Sequence, residues 1–336
     1  MKEKVISFLN SRNRGFHPEL AAIKSGLLET AQDLEFRYFL KADQTKNPLV
    51  NQGVSFEKEV FCKQAKHILC VDDSLPEAIA SCEDINKVLF AVPFDYQFSR
   101  MMLADENKNE INADFNKYSY MFTGSKFTSE VLARCYDTSG VTLVDGVCHP
   151  LGYKISKPEE QKAVRENLEY YFPGMKGKKV LSIVTAGKKV LEDATVNTMD
   201  LNGFMDELKD DWFVLTNDSV LHERAQELPV EYVASFGYVK DMVLANKLLY
   251  VADALVTNSG SFIGAFAATR KPMFWLRQSN NPFEKYMAKK YAHLDFSNVI
   301  EAGCDGLGKA DMAFCEYFSY GTENSPIKKL EELLGF

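Results

Sequence analysis

Short apolar runs alternating with helix-length amphipathic stretches are the feature that most narrows the folds open to this chain. The runs are apolar throughout rather than at every second residue, and they are rich in Val, Ile, Leu and Phe. Strands of that kind are buried on both faces, which calls for parallel sheets with helices covering each side. The pattern predicts strands at Val5–Leu9, Phe36–Leu40, His67–Val71, Val88–Val92, Tyr118–Phe122 and Val141–Val144. A second series follows at Val180–Val184, Trp212–Thr216, Tyr232–Ala234, Ala254–Thr257 and Met273–Leu276. Helices are predicted at Pro18–Ala31, Ser125–Tyr136, Lys157–Tyr171, Leu201–Lys209, Val239–Val251 and Ser261–Ala268.

The rhythm pauses once, at the Pro/Gly/Lys segment Pro173-Gly174-Met175-Lys176-Gly177-Lys178-Lys179, which reads as a linker. A chain of 336 residues is long enough for two cores. The expected organisation is therefore α/β, with two Rossmann-like domains over residues 1–172 and 173–322 and a terminal helix within 323–336. In that last segment Ile327, Leu330, Leu333 and Leu334 recur at helical spacing and should dock on the body. Open parallel sheets take ligands outside the carboxyl ends of their strands. Two such sheets facing an interdomain cleft are expected, with the site in that cleft.

Composition removes several functions. There are 39 Lys+Arg against 47 Asp+Glu, a net charge of −8, which argues against a nucleic-acid partner. A phosphorylated small molecule stays open, because it needs only a local patch of donors. No apolar run approaches the length of a membrane-spanning helix. The apolar part of the N-terminal stretch, Val5 to Leu9, is shorter than a signal peptide needs. The seven cysteines are widely spaced without a Cys-x-x-Cys pair, which favours reduced thiols over zinc or disulfides. A cytoplasmic protein is expected.

The most informative stretch runs Asp253-Ala254-Leu255-Val256-Thr257-Asn258-Ser259-Gly260-Ser261. A buried strand breaks into a loop of small polar residues, and a helix starts at once. Thr257, Asn258, Ser259 and Ser261 offer side-chain donors, and Gly260 allows close approach to the backbone. The free amides at the start of the next helix carry partial positive charge, a seat for a diphosphate. The plainer alternative is that Ser259 or Ser261 only caps that helix.

This stretch, followed by Lys271-Pro272-Met273-Phe274-Trp275, resembles the CDP-glycerol glycerophosphotransferase family of teichoic-acid primases and polymerases. That family carries Asp–Ile–Leu–Ile–Thr–Asp–Tyr–Ser–Ser, then a helix and a Lys–Pro. Thr257 and Ser261 match, Asn258 stands where the family has Asp, and Ser259-Gly260 replaces Tyr–Ser. The resemblance covers about residues 180–290. It implies a GT-B fold and a CDP- or UDP-linked donor as substrate, with no cofactor and no metal. It further implies a polymer or lipid-linked acceptor. A nucleotide-sugar glycosyltransferase or UDP-sugar 2-epimerase is the alternative enzyme. A two-lobed small-molecule binding protein or a catalytically silent relative is the alternative of another class.

Other loops are carried over on the same resemblance. Thr185, Gly187 and Lys188 follow the first strand of the second series, where the family has Pro–Thr–Trp–Arg; a solvated turn is the alternative. Asn217 follows the next strand, and His222, offset from the family's His–Pro, reads as a surface histidine. Gly237 and Tyr238 stand where GT-B enzymes hold the nucleotide base, or form a plain turn. In the first domain the residues themselves suggest that Arg12, Asn13, Arg14 and Gly15, in the loop after the first strand, clamp an anionic acceptor, with solvated arginines as the alternative; His17 sits beside Pro18 at its end. The family's His–Gly–Thr–Pro segment is replaced by Val92-Pro93-Phe94-Asp95, so Asp95 is placed as the base, with Asp72, Asp73 and His149 as rivals and His17 among the catalytic candidates. Lys285, Lys289 and Lys290, among Tyr286, Met287 and Tyr291, read as an amphipathic surface helix, with peripheral contact to anionic lipid headgroups as the alternative. Donor base, acceptor and oligomeric state are left open.

Overall fold

In the computed structural model the described residues are 5–10, 17–31, 34–40, 57–58, 66–71, 75, 77–93, 95–106, 114–186, 195–240, 246–278 and 280–335. The chain divides into two compact units. The first comprises Met1–Pro93, Leu103–Lys154 and Glu316–Phe336, and the second Phe94–Met102 and Ile155–Cys315.

The first unit holds a seven-stranded sheet. Its strands are β1 (Val5–Asn10), β2 (Glu35–Leu40), β3 (Glu57–Lys58), β4 (His67–Cys70), β5 (Asn86–Phe90), β6 (Tyr120–Gly124) and β7 (Thr142–Cys148). They are ordered β3-β2-β1-β4-β5-β6-β7, every pair parallel. Strand β4 is buried along its whole length, as a strand covered on both faces must be. Helix Pro18–Thr30 supplies Leu20, Ile23 and Leu27, which pack with Leu69, Val88, Phe90, Phe122 and Val144 of the sheet. Helix Pro326–Leu334 closes the same core with Ile327, Leu330 and Leu334. Each such side chain contributes about 1.5–3 kcal/mol by leaving water.

The second unit holds a five-stranded sheet, again all parallel, in the order β10-β9-β8-β11-β12. Its strands are β8 (Lys179–Val184), β9 (Trp212–Thr216), β10 (Phe236–Tyr238), β11 (Ala254–Thr257) and β12 (Met273–Trp275). The chain winds outward from β8 in one direction and then returns to β11 on its other side. The switch point of the sheet thus falls between β8 and β11.

The expected strand at Tyr232–Ala234 is instead a helical turn, Val230–Val233. Pro229 precedes it, and the Pro229 carbonyl accepts from the amides of Tyr232 and Val233. Val230 is 84% exposed, so this apolar run lacks the burial a central strand needs. The strand forms one step later, where Gly237 leaves room for the Phe172 ring and Leu215; an added Cβ would lie 2.7 Å from Leu215 Cδ2. Of the helix expected over Val239–Val251, Lys247–Val251 is helical, while Val239 continues the sheet by donating its amide to the Thr216 carbonyl.

Helix Pro158–Tyr171 belongs to the second unit. Its Arg165 reaches the Met175 and Lys178 carbonyls and pairs with Asp253 at 3.8 Å. Asp253 also accepts the Val180 amide at 2.9 Å and pairs with Lys271 at 3.5 Å. Asp253 and the Lys271-Pro272 pair therefore fasten the amino end of the sheet, opposite the edge where the polar loop lies. Among the described residues no helix is long and apolar enough to cross a membrane. Tyr286 and Met287 are buried, whereas Lys285, Lys289 and Lys290 are exposed.

Candidate functional site

The carboxyl edge of the second sheet is built around the chain leaving β8, which has no further ladder partners once its neighbours end. Two asparagine side chains take over that role. Thr185 donates its amide to Asn217 Oδ1 at 2.7 Å, and Asn217 Nδ2 donates back to the Thr185 carbonyl at 2.8 Å. One residue on, Ala186 donates its amide to Asn258 Oδ1 at 2.8 Å, and Asn258 Nδ2 donates to the Ala186 carbonyl at 3.0 Å. Asn258 Nδ2 also meets the buried Gln278 Oε1. Each asparagine thus imitates a peptide group and extends the sheet by one rung.

The helices that follow β9 and β11 begin at this edge, and their first turns differ in charge. After β9, Asp218 is buried and accepts the amides of Val220 and Leu221, both at 3.0 Å, as the cap of helix Ser219–Ala225. Thr185 Oγ1 donates to the same carboxylate at 3.3 Å. Burial raises the Asp218 pKa, and the amide and hydroxyl donors work against that rise. A carboxylate therefore already occupies that helix start, and a second anion there would be repelled.

After β11, helix Gly260–Phe266 is capped by Ser259, whose side chain makes no capping bond, and its first turn carries no acidic residue. Ser259 Oγ and Ser261 Oγ lie 3.0 Å apart, both partly exposed. The Ser259 amide donates to Thr257 Oγ1 at 3.2 Å, and Thr257 is fully buried. Of the small polar residues in this loop, Thr257 and Asn258 spend their side chains on the scaffold. Ser259, Gly260 and Ser261 frame a helix start with no charge of its own to answer the backbone dipole.

His222 and Tyr238 meet further along the same edge, with ring centroids 4.0 Å apart and planes within 5°. His222 lies on the helix after β9 and Tyr238 ends β10, so parallel neighbouring strands bring them together. That stack is not evident from the sequence, where the two residues belong to different elements. Gly237 points inward against Phe172 and Leu215.

The remaining candidates are distributed as follows. Arg12, Asn13, Arg14, Gly15, Asp72, Asp73, Gly187 and Lys188 lie outside the described residues. Asp95 is the first residue of helix Asp95–Asp105, its side chain likewise outside them. The start of that helix belongs to the second unit, where Phe98 meets Phe283 edge-on at 5.2 Å and Tyr286 at 5.4 Å. His17 and His149 lie in the first unit and are buried. His17 caps helix Pro18–Thr30, its Nδ1 accepting the Glu19 amide at 3.2 Å. His149 precedes helix Pro150–Ile155, and its carbonyl accepts the Tyr153 amide at 2.8 Å. Burial lowers both imidazole pKa values to about 4, and each ring's proximity to the other adds to the effect at His149.

No family model matches the sequence, and no curated protein matches it. The structure is similar to that of the wall teichoic acid polymerase TagF, with a TM-score of 0.61 and 14% identity over 99% of this chain and 88% of that one. It is similar to a UDP-GlcNAc 2-epimerase from Neisseria meningitidis bound to UDP-GlcNAc, with a TM-score of 0.56 and 12% identity over 99% of this chain and 100% of the other. A third similar structure is S. aureus MnaA with UDP, at a TM-score of 0.55 and 11% identity over 99% and 97% of the two chains. Likeness at these identities defines the fold. The chain is an α/β protein of the GT-B type, with two parallel sheets.

Proposed function

We propose that this chain is a nucleotide-dependent GT-B transferase. In this reading it moves glycerol phosphate, or a related polyol-phosphate or sugar unit, from a CDP- or UDP-linked donor. The acceptor is a cell-envelope polymer or its lipid-linked primer. The observation that carries the reading is the uncharged helix start at Ser259–Ser261, beside the switch point of the second sheet. The helix start after β9 is instead filled by Asp218. A phosphate group is the ligand that such backbone amides accept best.

The roles follow from that seat. The amides of Gly260 and Ser261 and the hydroxyls of Ser259 and Ser261 stabilise charge developing on the phosphate-bearing leaving group. Asn217 and Asn258 hold the chain after β8 in place as far as Ala186. Lys188 adds a point charge. The His222–Tyr238 stack lies on the side of β10, where the nucleoside would extend. Asp95 takes the proton of the acceptor hydroxyl as its oxygen attacks the donor. The similarity to an epimerase bound to UDP-GlcNAc, and to MnaA solved with UDP, supports a second reading, an epimerase-like enzyme acting on a uridine-linked sugar.

Thermal-shift titration with CDP, CMP, UDP, UMP and free sugars separates these. Stabilisation grows with ligand concentration over Kd, about 2.7 kcal/mol at a hundredfold excess. A response to cytidine nucleotides supports the first reading, and one to uridine nucleotides alone supports the second. A response to free sugar alone overturns both in favour of a binding protein.

A further inference from the structure

The proposed donor site leaves one polar side chain at its edge without a role, Gln278, in the segment after β12. The path of that strand along β11 continues past Trp275: the Leu276 amide donates to the Thr257 carbonyl at 2.9 Å, and the Arg277 carbonyl accepts the Thr195 amide at 3.1 Å. Leu276 is in the core with Ile183 and Val256. The adjacent cation is occupied elsewhere, since Arg277 pairs with Asp295 at 2.6 Å and lies 5.7 Å from the Trp275 ring centroid. Gln278 instead meets Asn258, which puts its side chain at the carboxyl edge of β11.

The orientation of the Gln278 amide is dictated by backbone two contacts away. Asn258 lies against both polar groups of Ala186, so its own amide has a single orientation, Oδ1 toward the N–H and Nδ2 toward the carbonyl. Asn258 Nδ2 is a donor, and Gln278 therefore meets it with Oε1. That leaves the Gln278 Nε2 group turned from Asn258, with two N–H donors. Gln278 is 6% exposed, and among the described residues the contact with Asn258 is its one hydrogen bond. A donor in a buried side chain is costly to leave unmet and calls for a partner.

The chemistry of that partner is restricted. Nε2 donates and cannot accept, so it serves a group with lone pairs to spare. The contact with Asn258 does not by itself require an amide, because the carboxylate of a glutamate would accept from Asn258 Nδ2 equally well. What a glutamate could not do is donate outward, and its charge would repel an anion. The amide at 278 is thus accounted for by an acceptor group, above all an anionic one, on this edge.

We infer that Gln278 contacts the nucleotide donor, its Nε2 donating to a phosphate oxygen while Asn258 holds the amide in the donating sense. This deepens the proposed function and rests on it, because that reading sets the phosphate group on the residues just after Asn258.

The test is calorimetric titration of the full chain with CDP and UDP at pH 8, where a glutamate is ionised, alongside ligand-free melting temperatures. Gln278→Met keeps the length of the side chain and removes the donor; its affinity is expected to fall about tenfold. Gln278→Glu keeps the acceptor for Asn258 and should melt no lower than Gln278→Met, yet lose more affinity than it. Binding by Gln278→Glu within about twofold of the parent, as a resident water on Nε2 would give, overturns the inference. Equal losses in the two variants also overturn it, because they report disturbed packing rather than charge beside phosphate. If the glutamate variant does not fold, Gln278→Met decides alone: a tenfold loss supports the contact and an unchanged affinity refutes it. A parent that binds neither nucleotide refutes the transferase reading and this inference with it, whereas a parent that binds and variants that bind equally refute the inference alone.

Discussion

Replacing Asn258 tests whether the edge of the second sheet is organised as described. Asn258→Ala removes two hydrogen bonds to Ala186, at 2.8 and 3.0 Å, together with the contact to Gln278. At about 0.5–1.5 kcal/mol net for each of the two bonds, the expected loss is about 1–3 kcal/mol. Ala186 is half-buried, so water restores part of the loss and the lower half of that range is expected. Asn258→Asp is the more telling change. It keeps the acceptor for the Ala186 amide but sets a carboxylate oxygen against the Ala186 carbonyl and Gln278 Oε1, where an N–H had donated. Protonating that carboxyl restores a donor, so folding raises its pKa. A raised carboxyl pKa gives stability that is present in acid and lost as pH rises through the folded-state value. Calorimetry at pH 5 and pH 8 reads this directly: Asn258→Asp should sit near Asn258→Ala or above it in acid, and below it at pH 8. An aspartate variant as stable as the parent at pH 8, or an alanine variant within about 0.5 kcal/mol of it, would refute the clamp.

Other outcomes follow from single residues. Gly124→Ala should cost at least about 2 kcal/mol in chemical denaturation, from left-handed backbone strain and collision with the His149 ring; a neutral result would mean that the ring is not held there. Glu19 holds its proton to about pH 8 when folded, against an ordinary value of 4.5. The folded chain therefore binds the extra proton between those values, and stability falls as pH rises, by up to ~1.4 kcal/mol per pH unit. Glu19→Gln should remove that contribution between about pH 6.5 and 8, read as the difference between parent and variant so that the opposing contribution of the buried histidines cancels, and an unchanged difference across that range in urea titrations contradicts the assignment. Asp95→Asn should abolish transfer while nucleotide still raises the melting temperature; unchanged turnover removes Asp95 from the mechanism.

Much of the scaffold is legible in the sequence because strands buried on both faces leave continuous apolar runs, as at Phe213–Leu215 and Ala254–Val256. The strand at β10 is not, because the exposed turn Val230–Val233 carries more β-branched residues than the strand itself. Residue type alone does not give the role of a side chain at the site. Asn217 and Asn258 read as ligand donors, yet both face backbone, since nothing in a sequence tells whether an amide at a strand end turns to ligand or to a neighbouring loop. Asp253 and Lys271-Pro272, which carry part of the resemblance, act at the opposite edge of the sheet. Phe98 draws the start of helix Asp95–Asp105 into the second unit through Phe283 and Tyr286, a tie between segments nearly two hundred residues apart that no local pattern encodes. The small polar residues at the start of helix Gly260–Phe266 are visible at once in the sequence, whereas their contrast with the Asp218-capped helix needs the fold.

Ser259→Asp tests the phosphate seat most directly, because it gives helix Gly260–Phe266 the acidic cap that Asp218 gives its neighbour. A carboxylate there complements the helix dipole and should leave the ligand-free protein as stable as before, or more stable by about 0.5–1 kcal/mol. Calorimetric titration with CDP and UDP should then show binding lost from a protein that is better folded. Nucleotide affinity unchanged in that variant would place the phosphates elsewhere and contradict the account.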